Sequence, residues 1–298
     1  MKEIVVISGK GGTGKTSITA SFAVLEGENC IVADCDVDAA DMHILLEADF
    51  KNESDFYSGE EAVIDPDSCI NCGKCEEVCS FDSIFHNDTT YYVNGLTCEG
   101  CTYCSHVCPV DAITMKDRWS GNTYISAIKT GGSMVHAKLG IGSDNSGKLV
   151  AKVKYLAKQA AKMLRKEYII VDGSPGIGCP VLSSLSGAKF VVFITEPTVS
   201  GVHDLKRVHE LVRKFKIRSG CIINKADLNL EKTQEIKEFL EKENIKCITE
   251  LPYHESFKRS LREHKTVVEF EGDIKKKIKD AWEIIKIEVS KKKVKKKI

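Results

Sequence analysis

The chain has 298 residues, 42% hydrophobic and 29% charged, a soluble globular balance for about two domains that excludes disorder over most of its length. No apolar run approaches the ~18 residues of a membrane span, and the N-terminal MKEIVVISGKGG is too short in apolar residues for a signal peptide. The formal net charge of zero is a cancellation, because residues 61–117 hold ten Asp/Glu against two Lys, and residues 273–298 hold eleven Lys against four Asp/Glu.

Glu3–Ser8 is a β-branched apolar run that predicts a strand. It leads into Gly9-Lys10-Gly11-Gly12-Thr13-Gly14-Lys15-Thr16, which fits GxxxxGK[ST], and then into a helical pattern from Lys15 to about Leu25. Between a strand and a helix, this stretch, with Ser17, is a phosphate-binding loop. Its backbone N–H groups and the helix N-terminus face the phosphates. Lys15 reaches the β- and γ-phosphates, and the Thr16 hydroxyl ligates Mg²⁺. A second buried strand, Cys30–Ala33, ends in Asp34-Cys35-Asp36-Val37-Asp38. Ligands bind at such strand ends in open α/β sheets. Asp36 is the candidate for orienting or deprotonating an attacking water, Asp34 completes the site, and Asp38 and Asp41 read as solvated loop acids.

Thirteen cysteines follow an uneven distribution, with eight between Cys69 and Cys108. A local excess without a secretion signal points to metal rather than to a disulfide framework. Cys69-x2-Cys72-x2-Cys75-x3-Cys79 is followed by Cys98-x2-Cys101-x2-Cys104-x3-Cys108-Pro109. Two such runs in tandem fit two [4Fe–4S] clusters, with the fourth cysteine of each run ligating the other cluster. One cluster then takes Cys69, Cys72, Cys75 and Cys108, and the other takes Cys98, Cys101, Cys104 and Cys79. Zinc is the competing reading of paired CxxC runs. Ser80 stands where a Pro usually follows the first run's fourth cysteine.

Beyond a short strand near Tyr124–Ile128 and a glycine-containing loop, strands and helices alternate. The pattern predicts a helix over Ser146–Lys166, strands at Tyr168–Val171, Phe190–Thr195, Cys221–Ile223 and Ile245–Thr249, and helices between and after them. This is an α/β fold, a mostly parallel P-loop NTPase sheet flanked by helices. The cysteine segment interrupts it as an inserted ferredoxin-like domain at 62–117. The P-loop domain is then 1–61 with 118–290, and 291–298 is a basic tail. Asp172, after the strand Tyr168–Val171, is placed to hold Mg²⁺ through water, and the Gly176 N–H to sense the γ-phosphate. Asn224-Lys225-Ala226-Asp227 has the form of the guanine-reading NKxD, although Asp227 could equally cap the helix that follows. Leu251-Pro252-Tyr253 could wall the base.

Cys30, Cys221 and Cys247 fall in strand patterns and read as buried small hydrophobes, as Cys35 does in its loop. The eight histidines lack metal-ligand spacing; His203 reads as a surface or capping residue, and His106 lies between cluster ligands. The lysine tail has too few apolar residues for an amphipathic membrane helix. It reads as a solvated end, with membrane, nucleic acid or an acidic protein as the alternative contacts.

Lys10 occupies the signature position of the deviant Walker A family, which includes MinD, ParA, the Mrp scaffold proteins and the nitrogenase iron protein. The chain resembles the branch of that family carrying an inserted two-cluster ferredoxin. The resemblance extends over Asn145–Val150, Asp172–Pro180, Thr195–Thr198, Gly201–Arg207 and Asn224-Lys225. It implies that Lys10 reaches the phosphates of a facing protomer, so nucleotide is sandwiched in a homodimer or in a heterodimer with a similar paralogue. It favours ATP over GTP. Cys179 comes seven residues after Asp172, a spacing that resembles where the nitrogenase iron protein places one cluster-bridging cysteine.

The leading expectation is a cytoplasmic ATPase with ATP-gated electron transfer through two [4Fe–4S] clusters to a redox partner protein. An iron–sulfur scaffold or carrier would want a later CxxC, and none follows Cys108. A MinD/ParA-like positioning ATPase has no need of eight ligating cysteines. A coenzyme-synthesising ligase lacks any substrate-binding signature.

Overall fold

The computed structural model describes residues 1–143 and 147–291. Asn145 and Ser146, and the lysine tail from Lys292 on, lie outside the described residues. The chain divides into two compact units, one of Met1–Glu53, Thr123–Ala137 and Asn145–Ile298, the other of Ser54–Asn122 and Lys138–Asp144. Its strands in chain order are β1 (Lys2–Ile7), β2 (Cys30–Asp34), β3 (Asn52–Ile64), β4 (Ile84–His86), β5 (Tyr91–Val93), β6 (Ile113–Ala127), β7 (Ser133–Leu139), β8 (Tyr168–Asp172), β9 (Phe190–Thr195), β10 (Arg218–Ile223) and β11 (Lys246–Glu250).

The first unit is built on a sheet of order β11-β10-β9-β1-β8-β2-β7. From β11 to β7 every neighbouring pair is parallel. Such strands are covered on both faces, which is why β1, β2, β8 and β9 read as unbroken apolar runs. Helices Lys15–Glu26, Gly147–Met163, Val199–Lys214, Leu230–Lys242 and Asp273–Ser290 supply that cover. Thr198 and Asn229 cap two of them, accepting the N–H of Gly201 (3.0 Å) and Lys232 (2.9 Å). Trp282 of the last helix stacks on Phe22 at 5.0 Å and donates its indole N–H to Glu26 (2.9 Å).

The short strands β4 and β5 were not evident from sequence, nor were β3 and β7. β3 is mostly exposed and polar, so it lacks the apolar alternation that marks a strand. β7 follows Gly131 and Gly132 and reads as part of a loop. In the structure Gly131, at φ +76°, turns the chain from β6 into β7.

Among these strands His136 is packed 2% exposed, 4.7 Å from the Phe50 ring and 5.1 Å from Tyr124. The Ser126 hydroxyl accepts the Phe50 N–H (3.1 Å) and lies 2.9 Å from His136 Nε2. Burial, assisted by nearby His43, lowers the His136 pKa to about 4. The unfolded ring binds a proton near pH 6.5 and the folded ring only near pH 4. Between those values the unfolded chain binds more protons, so stability is lost as pH falls. Unfolding measured across this window is expected to lose about 3 kcal/mol through His136. His136→Phe should flatten that part of the curve.

The second unit repeats on itself. Cys69, Cys72, Cys75 and Cys79 recur 29 residues later as Cys98, Cys101, Cys104 and Cys108. So do the residues at positive φ: Asn71, Gly73 and Asp82 recur as Gly100, Thr102 and Asp111. One short helix follows the second cysteine of each run, at Lys74–Glu77 and Tyr103–Val107. The core here is small and thiol-lined, with Cys75, Cys98 and Cys104 buried against Ala62, Ile84 and Ile113. This unit holds thirteen Asp/Glu against four Lys/Arg, a charge that suits a basic rather than an acidic partner.

Candidate functional site

At the C-terminal ends of the parallel strands lies a cavity of about 490 Å³, bordered by the loop from Gly11 to Ser17. Gly12 and Gly14 take φ of +77° and +90°, which curls the backbone before the helix opens at Lys15. A Cβ on Gly9 would collide with Asp204.

Lys15 is 5% exposed, with Nζ 2.8 Å from Asp172 and 3.1 Å from Asp36. Burial alone would lower its pKa, but Asp172, Asp36 and Asp34 outweigh burial and raise it. Thr16 donates to Asp172 Oδ2 (2.7 Å), and the Thr19 hydroxyl lies 2.9 Å from Oδ1. Asp34 accepts the Asp36 N–H at Oδ1 (3.1 Å), while its buried Oδ2 has no hydrogen-bond partner. Burial, then repulsion from Asp172, holds the Asp34 pKa well above the usual carboxylate range. Burial also raises Asp36, against the pull of Lys15. Three carboxylates thus surround one ammonium. The surplus negative charge and the all-oxygen donor set fit a hard divalent cation such as Mg²⁺.

Other predicted site residues are placed differently. The Gly176 N–H does not face the cavity as expected; it donates to the Ser8 carbonyl (3.0 Å), because the turn after β8 packs on the start of the loop. Lys10 points away from its own cavity, with Nζ 2.7 Å from Glu196, 3.0 Å from the Ser200 hydroxyl and 3.3 Å from that of Thr198. Lys225 meets the other oxygen of Glu196 at 2.7 Å and donates to the Gly12 carbonyl (3.2 Å). Burial would raise the Glu196 pKa, but these two lysines lower it. Asn224 donates to the Thr13 carbonyl (2.8 Å) and so braces the loop.

Pro252 does not line the cavity; Tyr253, Phe257 and Leu261 form the apolar wall instead. The four-residue spacing of Phe257 and Leu261, one helix face, was the available sequence signal. Asp38 and Asp41 sit exposed at the mouth. Cys30, Cys35 and Cys221 are buried and Cys179 is exposed. Cys247 departs from expectation, since it is exposed on the edge strand β11. His203 is exposed beside Asp204 (3.3 Å), and His106 contacts the Thr102 carbonyl (2.9 Å).

The second unit brings the eight cysteines of the two runs into two small cavities. One is lined by Cys69, Cys72, Cys75 and Cys108, the other by Cys79, Cys98, Cys101 and Cys104. The fourth cysteine of each run therefore lies with the other run's first three. Backbone N–H groups aim at three of the thiols, Asn71 at Cys69 (3.5 Å), Ser83 at Cys79 (3.5 Å) and Ala112 at Cys108 (3.3 Å). Among the described residues no group of three or more His, Cys, Asp or Glu is arranged for a single metal ion. Four thiols spread around a void suit the corners of a cubane better than the tight tetrahedron of one zinc.

Comparison with known proteins follows the same division. An uncharacterized protein of Methanocaldococcus jannaschii, MJ0578, is 37% identical over 229 residues, 76% of this chain and 79% of that protein. A 7Fe ferredoxin of Hydrogenibacillus schlegelii is 52% identical over 33 residues, 11% of this chain and 42% of the ferredoxin. The septum site-determining protein MinD of Pyrococcus horikoshii, solved with Mg-ADP, shares the fold at a TM-score of 0.57 and 17% identity, covering 98% of this chain and 99% of that one. Among the described residues no helix is long and apolar enough to cross a membrane. A family model matches residues 4–267, a span that takes in the loop, the acidic cluster and the apolar wall, so the chain belongs to the CobQ/CobB/MinD/ParA nucleotide binding domain family of P-loop ATPases.

Proposed function

We propose that this protein is a cytoplasmic, ATP-hydrolysing iron–sulfur protein in which nucleotide state governs one-electron transfer to a redox partner. The observation that carries this is the crossed grouping of eight thiols in a chain that also has a complete P-loop cavity. In this reading residues 62–117 are a ferredoxin-like insert in a P-loop domain of 1–61 and 118–290. Cys69, Cys72, Cys75 and Cys108 would hold one [4Fe–4S] cluster, and Cys98, Cys101, Cys104 and Cys79 the other. When bound, such a cluster accepts and releases a single electron.

At the nucleotide site, Lys15 would exchange its carboxylate partners for β- and γ-phosphate oxygens. Thr16, with Asp172 through water, would hold Mg²⁺, and Asp36 would orient the attacking water. The Gly176 N–H would reach the γ-phosphate only after leaving Ser8. Lys10, turned from its own cavity, supports action on a facing protomer, whether a second copy or a paralogue.

The family match favours one other reading, a positioning ATPase, but that activity gives the crossed thiols no role. Anaerobic reconstitution followed by EPR potentiometry separates the two. Expected are about eight Fe per chain and a change in midpoint potential or electron-transfer rate on adding Mg-ATP. Full iron with potentials and rates indifferent to nucleotide would overturn the gating.

A further inference from the structure

We infer that Asp227 is a positioning residue that fixes the wall of the base pocket, and that it does not read the base. The inference rests on the nucleotide reading above and names how that site selects its base. In the NKxD pattern the aspartate would face the ligand and accept from guanine N–H groups. Here every polar side chain of Asn224-Lys225-Ala226-Asp227 has a partner within the protein. Asn224 holds the Thr13 carbonyl, and Lys225 holds Glu196 and the Gly12 carbonyl. Asp227 Oδ1 accepts the backbone N–H of Tyr253 at 2.6 Å. It is absent from the cavity lining, whereas Tyr253 is part of it.

The contact is one of three that join the two loops. The Leu251 N–H donates to the Ile223 carbonyl (2.9 Å), and the Ala226 N–H to the Leu251 carbonyl (2.8 Å). Asp227 adds the outermost bond, where Tyr253 turns into the helix carrying Phe257 and Leu261. It does not cap the helix Leu230–Lys242, since Asn229 does that. Lys258 lies over the Tyr253 ring at 5.3 Å. A wall of Tyr253, Phe257 and Leu261 offers a base stacking and apolar contact. This wall brings no carboxylate of its own to the guanine-specific donors.

Calorimetric titration of the full chain with ADP, GDP, XDP and inorganic pyrophosphate tests this. Asp227→Ala should weaken ADP about tenfold, the loss expected for one charge-assisted hydrogen bond, and leave pyrophosphate within about twofold because that ligand does not use the wall. Asp227→Asn keeps an oxygen acceptor for the Tyr253 N–H and should restore ADP binding. Pyrophosphate binding also reports that both variants fold. Unchanged ADP affinity in Asp227→Ala would overturn the positioning role alone. A wild type that prefers GDP, with Asp227→Asn gaining XDP, would show that Asp227 reads the base. A wild type that binds pyrophosphate but no nucleotide would overturn the nucleotide reading together with this one.

Discussion

Cys108→Ser is expected to halve the iron content, from about eight to about four per chain. The cluster lost should be the one at Cys69, Cys72 and Cys75, not the one at its sequence neighbours Cys98, Cys101 and Cys104. Cys108 lines the first cavity, and the Ala112 N–H directs its thiol there. Serine preserves the size of the side chain but removes the soft thiolate that iron requires. Double variants reveal which cluster went. Cys108→Ser with Cys75→Ser should lose no more iron than either alone, because both act on one cluster. Cys108→Ser with Cys104→Ser should lose both. Iron analysis and EPR spin counting give the answer, and the opposite pattern would mean that each run holds its own cluster. Because the thiols form much of this unit's core, the loss should also lower its resistance to proteolysis.

Lys15→Gln should reduce ATP hydrolysis at least about 100-fold, since it removes the cation that meets charge developing on the phosphates. It should also destabilise the unliganded protein, by about 3 kcal/mol at neutral pH, because the buried carboxylates lose the ammonium paired with them. The pH dependence gives this prediction its signature. Asp34 and Asp36 already have raised pKa values, and without Lys15 they rise further. A carboxyl group with a raised folded pKa binds its proton more tightly in the folded state than in the unfolded one. Protonation then favours folding, so the deficit of the variant should shrink as pH falls from 8 towards 5. Chemical denaturation of both proteins at several pH values measures it. A deficit that grew on acidification would show that the carboxylates are not what Lys15 compensates.

Residues that act through local spacing were legible in the sequence. Gly9 to Ser17 declares itself because a curled backbone before a helix needs glycines at fixed intervals. The two cysteine runs declare themselves because a cubane fixes the distance between its corners. Positions defined by neighbours far along the chain were not legible. Phe257 and Leu261 become a wall only when β11 brings their helix to the loop after β1. The engagement of Gly176 with Ser8 is a backbone contact with no side-chain signature. β3 went unseen because its side chains are mostly exposed and polar, and β7 because glycines precede it. Cys247 resembles Cys221 in sequence, and the difference in exposure comes from strand order alone.

The bridge from Glu196 to Lys10 and Lys225 has an energetic consequence for any movement of the signature lysine. A buried carboxylate with one partner would resist that partner's departure, because an unpaired charge would be left in a poor solvent. Glu196 has two. Whenever Lys10 is drawn off, Lys225 remains, itself tethered to the Gly12 carbonyl. Lys10 also lies beside the N-terminus of the helix Val199–Lys214, whose dipole repels a cation. Lys10 is therefore stored on a weak spring, and the charge it leaves behind is already neutralised.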